Sequence, residues 1–378
     1  MRLLVSGGGT GGHVYPALAI AGAVREQDPG VEILYVGTAD GLEADIVPEE
    51  GLPFEAIPSR GLVGKSLLGV PAGIAVAAGG VAAAWRIMRR FRPDVSVGTG
   101  GYVSGPVAVA AGLSGVPLVL HEQNVFPGLT NRLASRWAAA VAVPFEEARR
   151  YFPRGARVVV TGNPVRRSVI DMTREEGLRL LGLPPDGLVV YAVGGSRGAR
   201  VLNEAVVEAL PGWLELPGVR VIFATGRRYY DRTVAALRER GIRVPDGGKI
   251  ILVPYMERAD AALAVADVVV TRAGGITLAE ITSRGVPAVV VPSPNVVHRH
   301  QDYNAEVLRR AGAAKVIPEA RLTGPVLEKT VKDLLCHPEL REKMRRAARG
   351  LGRPGAAAAL ARLVLEAGRR RRAGGRRG

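Results

Sequence analysis

The sequence predicts an α/β protein built from two doubly wound parallel-sheet domains. Three observations carry that expectation. Short runs rich in Val, Leu and Ile alternate with helical runs, the pattern of strands buried on both faces and joined by right-handed crossovers. Two of these runs close on glycine-rich turns: Leu3-Leu4-Val5-Ser6 before GGGTGGH (Gly7 to His13), and Leu188–Val193 before GGSRGA (Gly194 to Ala199). Between them the pattern halts at Gly162-Asn163-Pro164-Val165-Arg166, where proline favours extended backbone in the residue before it, and then restarts.

In the first half, strands are expected at Arg2–Ser6, Glu32–Gly37, Asp94–Gly98, Pro117–His121, Ala140–Val143 and Arg157–Thr161, with helices at Tyr15–Gln27 and Leu129–Ala139. The second half gives strands at Leu188–Val193, Val219–Ala224, Lys249–Val253, Asp267–Thr271 and Pro287–Val291, and helices at Arg200–Leu210 and Ile276–Ser283. The stretch Leu340–Gly368 reads as helix broken at Gly352–Gly355. In sheets of this kind ligands bind at the carboxyl ends of the strands.

A chain of 378 residues can form two proper cores, and 47% hydrophobic content excludes a disordered protein. One cysteine, Cys336, excludes a disulfide framework and suits a reducing compartment. No basic-then-apolar leader stands ahead of the first strand, so a cytoplasmic protein is expected. The net charge of +16 is concentrated at the C-terminus, where Arg369, Arg370, Arg371, Arg372, Arg376 and Arg377 are separated only by Ala and Gly. Such an excess suits nucleic acid, an anionic membrane or phosphorylated substrates, or is a solvated tail with no dedicated partner.

Leu67 to Trp85 carries no charge and approaches the length of a membrane span. It is diluted by Gly69, Pro71, Gly73, Gly79, Gly80 and many alanines, which contribute little insertion energy. Arg60 and Lys65 precede it, and Arg86, Arg89, Arg90 and Arg92 follow. An interfacial patch on a soluble domain and an ordinary buried helix both fit better than a spanning helix.

The glycines of GGGTGGH remove side chains that would block backbone amides at a helix start, where an anion is favoured. His13 then falls in the first helical turn, as a general base working near neutral pH or as a capping or packed histidine. A dinucleotide site would need a ribose acid after the second strand, and Asp40 is a poor one. In the second turn Ser196 and the helix-start amides suit a diphosphate, with Arg197 or Arg200 to neutralise it. The segment Thr271-Arg272-Ala273-Gly274-Gly275-Ile276-Thr277-Leu278-Ala279-Glu280 repeats the device. Glu280 can accept both ribose hydroxyls, or is a helix-terminal acid.

His121-Glu122-Gln123-Asn124 ends a Val/Leu strand, as a site edge or a buried hydrogen-bond network. His298 and His300 lack the spacing of a three-ligand metal set, and Gln301 suits amide recognition of a sugar. An NAD-type oxidoreductase leaves the second turn, Glu280 and Gln301 idle. A nucleic-acid binder explains the charge, but six Phe and nine Tyr give few stacking platforms and no known binding motif is present.

In order and spacing, GGGTGGHVYPALAIA, GTGGYVSGP, HEQNVFPGLTNR, TGNPVR, GGSRGAR, TRAGGITLAEI and HRHQDYNAEVL resemble the signatures of the MurG family, over about residue 3 to about residue 315. That family transfers GlcNAc from UDP-GlcNAc to lipid I, giving lipid II for peptidoglycan. The resemblance implies a GT-B fold, two Rossmann-like domains facing a cleft: residues 1–163 for the acceptor and membrane, joined by a C-terminal helix at about 350–370, and 164–349 for the sugar nucleotide. It implies that Thr10, Gly11, Gly12, Asn124, Arg166, Ser196, Met256, Gly275, Ile276, Thr277, Leu278, Ala279, Glu280 and Gln301 contact UDP-GlcNAc. In that pattern the Met256 backbone reads the uracil edge, and Tyr255 caps the site. Glu280 takes the ribose, Ser196 and Arg166 the phosphate region, and Gln301 with Asn124 the sugar, while His13 is the base. The first glycine turn would face the acceptor's diphosphate. Arg197 stands where glutamine is frequent, and Gly275 where alanine is frequent. No metal and no tightly bound cofactor are expected, nor nucleic acid, and the partners are UDP-GlcNAc, lipid I and an anionic membrane at the cytoplasmic face. Another lipid-linked UDP-sugar transferase of the same fold is the alternative, because fold alone does not fix the acceptor.

Overall fold

The structure, a computed structural model, describes residues 1–60, 70–195, 198–244 and 248–374, with backbone alone for 70–74 and 374. The chain divides into two compact units, Met1–Pro164 with the C-terminal segment from Gly355, and Val165–Pro354.

In the first unit the order is β1 (Arg2–Ser6), α1 (Gly11–Gln27), β2 (Glu32–Gly37), α2 (Glu43–Glu49), β3 (Phe54–Ala56), α3 (Val70–Phe91), β4 (Val95–Gly98), α4 (Ser104–Leu113), β5 (Leu118–His121), α5 (Leu129–Ala134), β6 (Ala140–Val143) and β7 (Val158–Val160). All seven strands are parallel, in the order β3-β2-β1-β4-β5-β6-β7. Period-two alternation sends Leu3 and Val5 to one face, packed with Val14, Ile20, Leu360 and Val364, and Leu4 to the other with Ile87, Met88 and Val107. Both faces are therefore covered, which is why the strands lack polar alternation.

The second unit runs α6 (Arg167–Asp171), α7 (Arg174–Leu181), β8 (Leu188–Val193), α8 (Arg200–Leu214), β9 (Val219–Ala224), α9 (Tyr230–Glu239), β10 (Ile250–Val253), α10 (Ala259–Val265), β11 (Val268–Thr271), α11 (Gly275–Arg284), β12 (Ala288–Val290), α12 (His300–Arg310), β13 (Ala314–Val316), α13 (Gly324–Cys336) and α14 (Pro338–Leu351). Its six parallel strands follow the order β10-β9-β8-β11-β12-β13. The final helix, α15 (Ala356–Gly374), belongs to the first unit and packs on α1.

The differences from the sequence expectation have local causes. Strands β3 and β13 were not expected. Each has three residues at a sheet edge, too short for an apolar run to register. Helix α1 starts at Gly11 rather than Tyr15, because two glycines of low helix propensity make up its first residues. Helix α5 ends at Ala134, short of Ala139, and α8 continues past Leu210 to Leu214 across Pro211.

The arginine-rich end is not simply a solvated tail. Arg372 pairs with Asp94 at 2.8 Å, Arg370 pairs with Glu366 at 2.6 Å, and Arg371 donates to the Pro93 carbonyl at 2.7 Å. Arg376 and Arg377 lie outside the described residues.

Candidate functional site

In both sheets the strand order reverses at the first strand, between β1 and β4 and between β8 and β11, and doubly wound sheets bind ligands beside such a reversal. Every glycine motif singled out in the sequence leaves one of these four strands.

In the first unit the loops after β1 and β4 interlock. A Cβ on Gly101, which has φ +78°, would come 2.2 Å from the Gly8 carbonyl oxygen, and one on Gly7 would come 2.0 Å from Thr99 Oγ1. Thr99 donates its hydroxyl to the His13 carbonyl at 2.8 Å, and Tyr35 donates to the Gly7 carbonyl at 2.7 Å.

His13 is the third residue of α1 and half-buried. Its Nδ1 lies 3.1 Å from the Gly8 carbonyl and 3.2 Å from Thr10 Oγ1. A carbonyl only accepts, so Nδ1 carries the proton and Nε2 is the basic nitrogen. Gly100 gives that ring its space, since a Cβ there would come 3.1 Å from Nε2. Burial holds the His13 pKa below the usual 6.5, with the Gly8 carbonyl and the charge of Glu43 acting the other way. Thr10 and Gly12 are exposed beside it and Gly11 is half-buried.

The segment at the end of β5 is a buried network. Glu122 accepts from Asn124 N–H at 3.0 Å, Asn124 Nδ2 at 3.2 Å, Gly128 N–H at 3.0 Å and Asn131 Nδ2 at 2.9 Å. Burial pushes its carboxyl pKa up, and these four donors oppose it. His121 is fully enclosed, and burial drives its pKa down to about 3, so the ring is neutral. Asn124 alone of the four reaches partial exposure, held in place by Glu122.

In the second unit, Gly198 has φ +71° and a Cβ on it would come 2.2 Å from the Thr225 carbonyl, so the turn after β8 admits only glycine there. Ser196 and Arg197 lie outside the described residues. Arg200 opens α8 and pairs with Glu204 at 3.3 Å.

Helix α11 begins at Gly275, which makes Gly275, Ile276 and Thr277 its starting amides and sets Glu280 beyond its first turn, so Glu280 is not a helix-terminal acid. Glu280 is buried and takes a 3.3 Å bond from Arg166 Nη2. Burial raises the Glu280 pKa, and Arg166 counters it. The phenol of buried Tyr191 is raised by its burial and then by the charges of Glu280 and Tyr255, which places these groups in one neighbourhood.

Gln301 Oε1 accepts from Ser293 N–H at 2.8 Å and Ala273 N–H at 3.3 Å. Its oxygen is thus fixed on two loops, and Nε2 is its donor end. The preceding His298 and Arg299 hold φ of +53° and +49°, two consecutive left-handed residues of the kind that collects at ligand sites. Met256 is buried after β10, beside exposed Tyr255, whose ring centroid lies 5.8 Å from the Arg227 guanidinium.

Arg166, Glu280, Gln301 and the α11 start thus gather at the carboxyl edge of the second sheet. Thr10, Gly11, Gly12, His13 and Asn124 gather at that edge of the first. Sequence reasoning missed Glu43, Thr99 and Asn131, whose roles arise only from long-range packing. The weakly apolar stretch is represented by α3 (67–69 lie outside the described residues), which buries Ala84, Ile87 and Met88 and exposes Trp85, Arg86 and Arg89. Among the described residues no helix is long and apolar enough to cross a membrane.

Residues 3–143 match the glycosyltransferase family 28 N-terminal domain and residues 189–360 its C-terminal domain. The chain is 47% identical to the UDP-N-acetylglucosamine–N-acetylmuramyl-(pentapeptide) pyrophosphoryl-undecaprenol N-acetylglucosamine transferase of Moorella thermoacetica, covering 97% of this chain and 99% of that one. It is 48% identical to the protein of the same name from Symbiobacterium thermophilum, covering 98% of each. A crystal structure of Acinetobacter baumannii MurG superposes with a TM-score of 0.78 at 30% identity, over 97% of this chain and 99% of that chain.

Proposed function

Because this chain belongs to glycosyltransferase family 28, and within it to the MurG family, we infer that its second unit holds the donor while its first activates the acceptor. The protein is a UDP-GlcNAc-dependent glycosyltransferase that moves GlcNAc to a lipid-linked muramoyl-pentapeptide acceptor, lipid I, giving lipid II.

The observation that carries the assignment of the site is the buried Glu280 of α11 beside Arg166. A buried carboxylate needs partners, and vicinal ribose hydroxyls are two donors at the right spacing. The amides opening α11 are assigned to the diphosphate and Gln301 Nε2 to the sugar. The Met256 backbone meets uracil.

The reaction is a single inverting displacement. The acceptor's 4-hydroxyl gives its proton to His13 Nε2, its oxygen bonds the anomeric carbon of GlcNAc, and the glycosidic electron pair leaves with UDP. Helix-start amides, Arg166 and Arg197 offset the charge that grows on the diphosphate, a task otherwise suited to a metal ion. Transfer of labelled GlcNAc onto lipid I in the presence of a chelator tests this reading. Unchanged turnover is expected, and an absolute need for a divalent cation would remove the charge assignment.

The exposed Trp85, Arg86 and Arg89 of α3 support docking on an anionic membrane at the cytoplasmic face, where lipid I keeps its tail embedded. Sedimentation with liposomes should depend on anionic lipid, and oligonucleotides should not compete.

A further inference from the structure

Glu43, the first residue of α2, is wholly buried, yet among the described residues it makes no ion pair. Its carboxyl group accepts three hydrogen bonds instead: Thr38 N–H at 3.1 Å and Thr38 Oγ1 at 2.8 Å on Oε1, and Gly9 N–H at 3.1 Å on Oε2. All three partners donate, which is the surrounding a carboxylate takes.

The space it occupies is made by missing side chains. A Cβ on Gly8 would come 2.2 Å from Glu43 Oε1, one on Gly41 2.4 Å from the same atom, and one on Gly37 2.5 Å from Glu43 Cγ. Three glycines, from the loop after β1, the end of β2 and the loop after it, thus form a cradle for one carboxylate. This acid, beyond Asp40 in the stretch after the second strand, is turned inward onto the glycine loop.

Gly8 links this cradle to His13. Its Cα abuts Glu43, and its carbonyl accepts the His13 Nδ1 proton at 3.1 Å. Gly9 N–H and the Gly8 carbonyl are the two ends of one planar peptide unit and point in opposite directions, so holding the N–H on Glu43 keeps the carbonyl aimed at Nδ1 and the basic nitrogen stays Nε2.

We propose that Glu43 is a positioning residue for transfer: it fixes the loop that sets the His13 tautomer, and it sets a carboxylate near the ring that becomes cationic on taking the acceptor's proton. This rests on the reading of His13 as the base. The titratable groups that act on His13 are Glu43 from α2, which favours the charged ring, and His121 from the end of β5, held neutral by burial. Asn131 of α5 lies beside Gly100, and Tyr102 of the loop after β4 lies against Gly9.

The test uses the full-length protein with Glu43→Gln, Glu43→Asp and His13→Ala, read by GlcNAc transfer across pH and by calorimetry with UDP. Glu43→Gln keeps the volume and removes the charge. It should lower kcat about tenfold or more, leave KM for UDP-GlcNAc within about twofold, and move the acidic limb of the kcat profile to lower pH. Glu43→Asp, which keeps the charge, should restore part of kcat and return the limb toward the parent position. Glu43→Gln with parental kcat and limb, while His13→Ala is inactive, overturns the proposal alone. A drop in kcat with the limb unmoved, or joint loss of UDP binding and thermal stability, assigns Glu43 a purely structural role and also overturns it. Near-normal turnover of His13→Ala removes the base, and this proposal with it.

Discussion

Gly101 and Gly8 touch through backbone: the place where Gly101 would carry a Cβ lies 2.2 Å from the Gly8 carbonyl oxygen. That carbonyl also receives the His13 Nδ1 proton, so the loop after β4 buttresses the group that orients the candidate base. Gly101→Ala combines a left-handed φ of +78° with a clash against backbone that has nowhere to move. It should cost about 3 kcal/mol or more and abolish most turnover. Gly115→Ala is the control, because φ is +59° but nothing lies within 4 Å of the added carbon. It should cost about 1 kcal/mol and leave turnover intact. Equal thermal shifts for the two would show that the contact with Gly8 carries no energy.

His13→Ala should reduce kcat roughly 100-fold or more if the ring takes the acceptor proton. The pH profile supplies the sign. A base works only when unprotonated, and burial holds the His13 pKa below 6.5. Turnover should therefore persist below pH 6.5 and fall only as the pH drops through the lowered value. An acidic limb centred above pH 6.5 would contradict the buried environment seen around the ring.

How far the sequence spoke depended on whether a signal was local. Eleven strands were legible because each is a Val/Leu/Ile run between breakers, whereas β3 and β13 are three-residue edges with no such run. The glycine turns were legible as turns, but their partners were not. That Gly8 makes room for Glu43, or that Gly101 presses on Gly8, depends on which loops the strand order brings together. Glu280 and Gln301 are singled out by their positions beside strand ends, yet the pairing of Glu280 with Arg166, 114 residues earlier, is a product of packing. The segment at His121 was left open between site and network, and burial decides for the network, with Asn124 as its exposed end.

The return of α15 to the first unit predicts a long-range stability effect. Leu360 and Val364 are fully buried against Leu3, Val5, Val14 and Ile20. Leu360→Ala should destabilise the protein by about 2–5 kcal/mol, as cavity formation does in well-packed cores. The loss should appear in thermal unfolding without a change in UDP affinity measured on the folded protein, because the nucleotide is assigned to the second unit. A variant with parental stability would mean that α15 frays from the first sheet.

Glu280→Gln gives the sharpest test of the donor assignment. The carboxylate can accept from both ribose hydroxyls, whereas an amide offers one oxygen and presents an NH2 to the other hydroxyl. Hydrogen bonds to charged groups contribute about 1.5–3 kcal/mol, so UDP should bind roughly 10- to 100-fold more weakly, with KM for UDP-GlcNAc rising in step. The pH dependence follows from burial, which raises the Glu280 pKa above 4.5 despite Arg166. Protonation on acidification removes an acceptor, so UDP affinity of the parent protein should fall as the pH drops through that raised value, at milder acidity than for an exposed glutamate. In Glu280→Gln this component should vanish, leaving affinity flat over the same range. Calorimetric titration of UDP at several pH values reads both effects, and an affinity indifferent to the substitution at neutral pH would take the ribose away from Glu280.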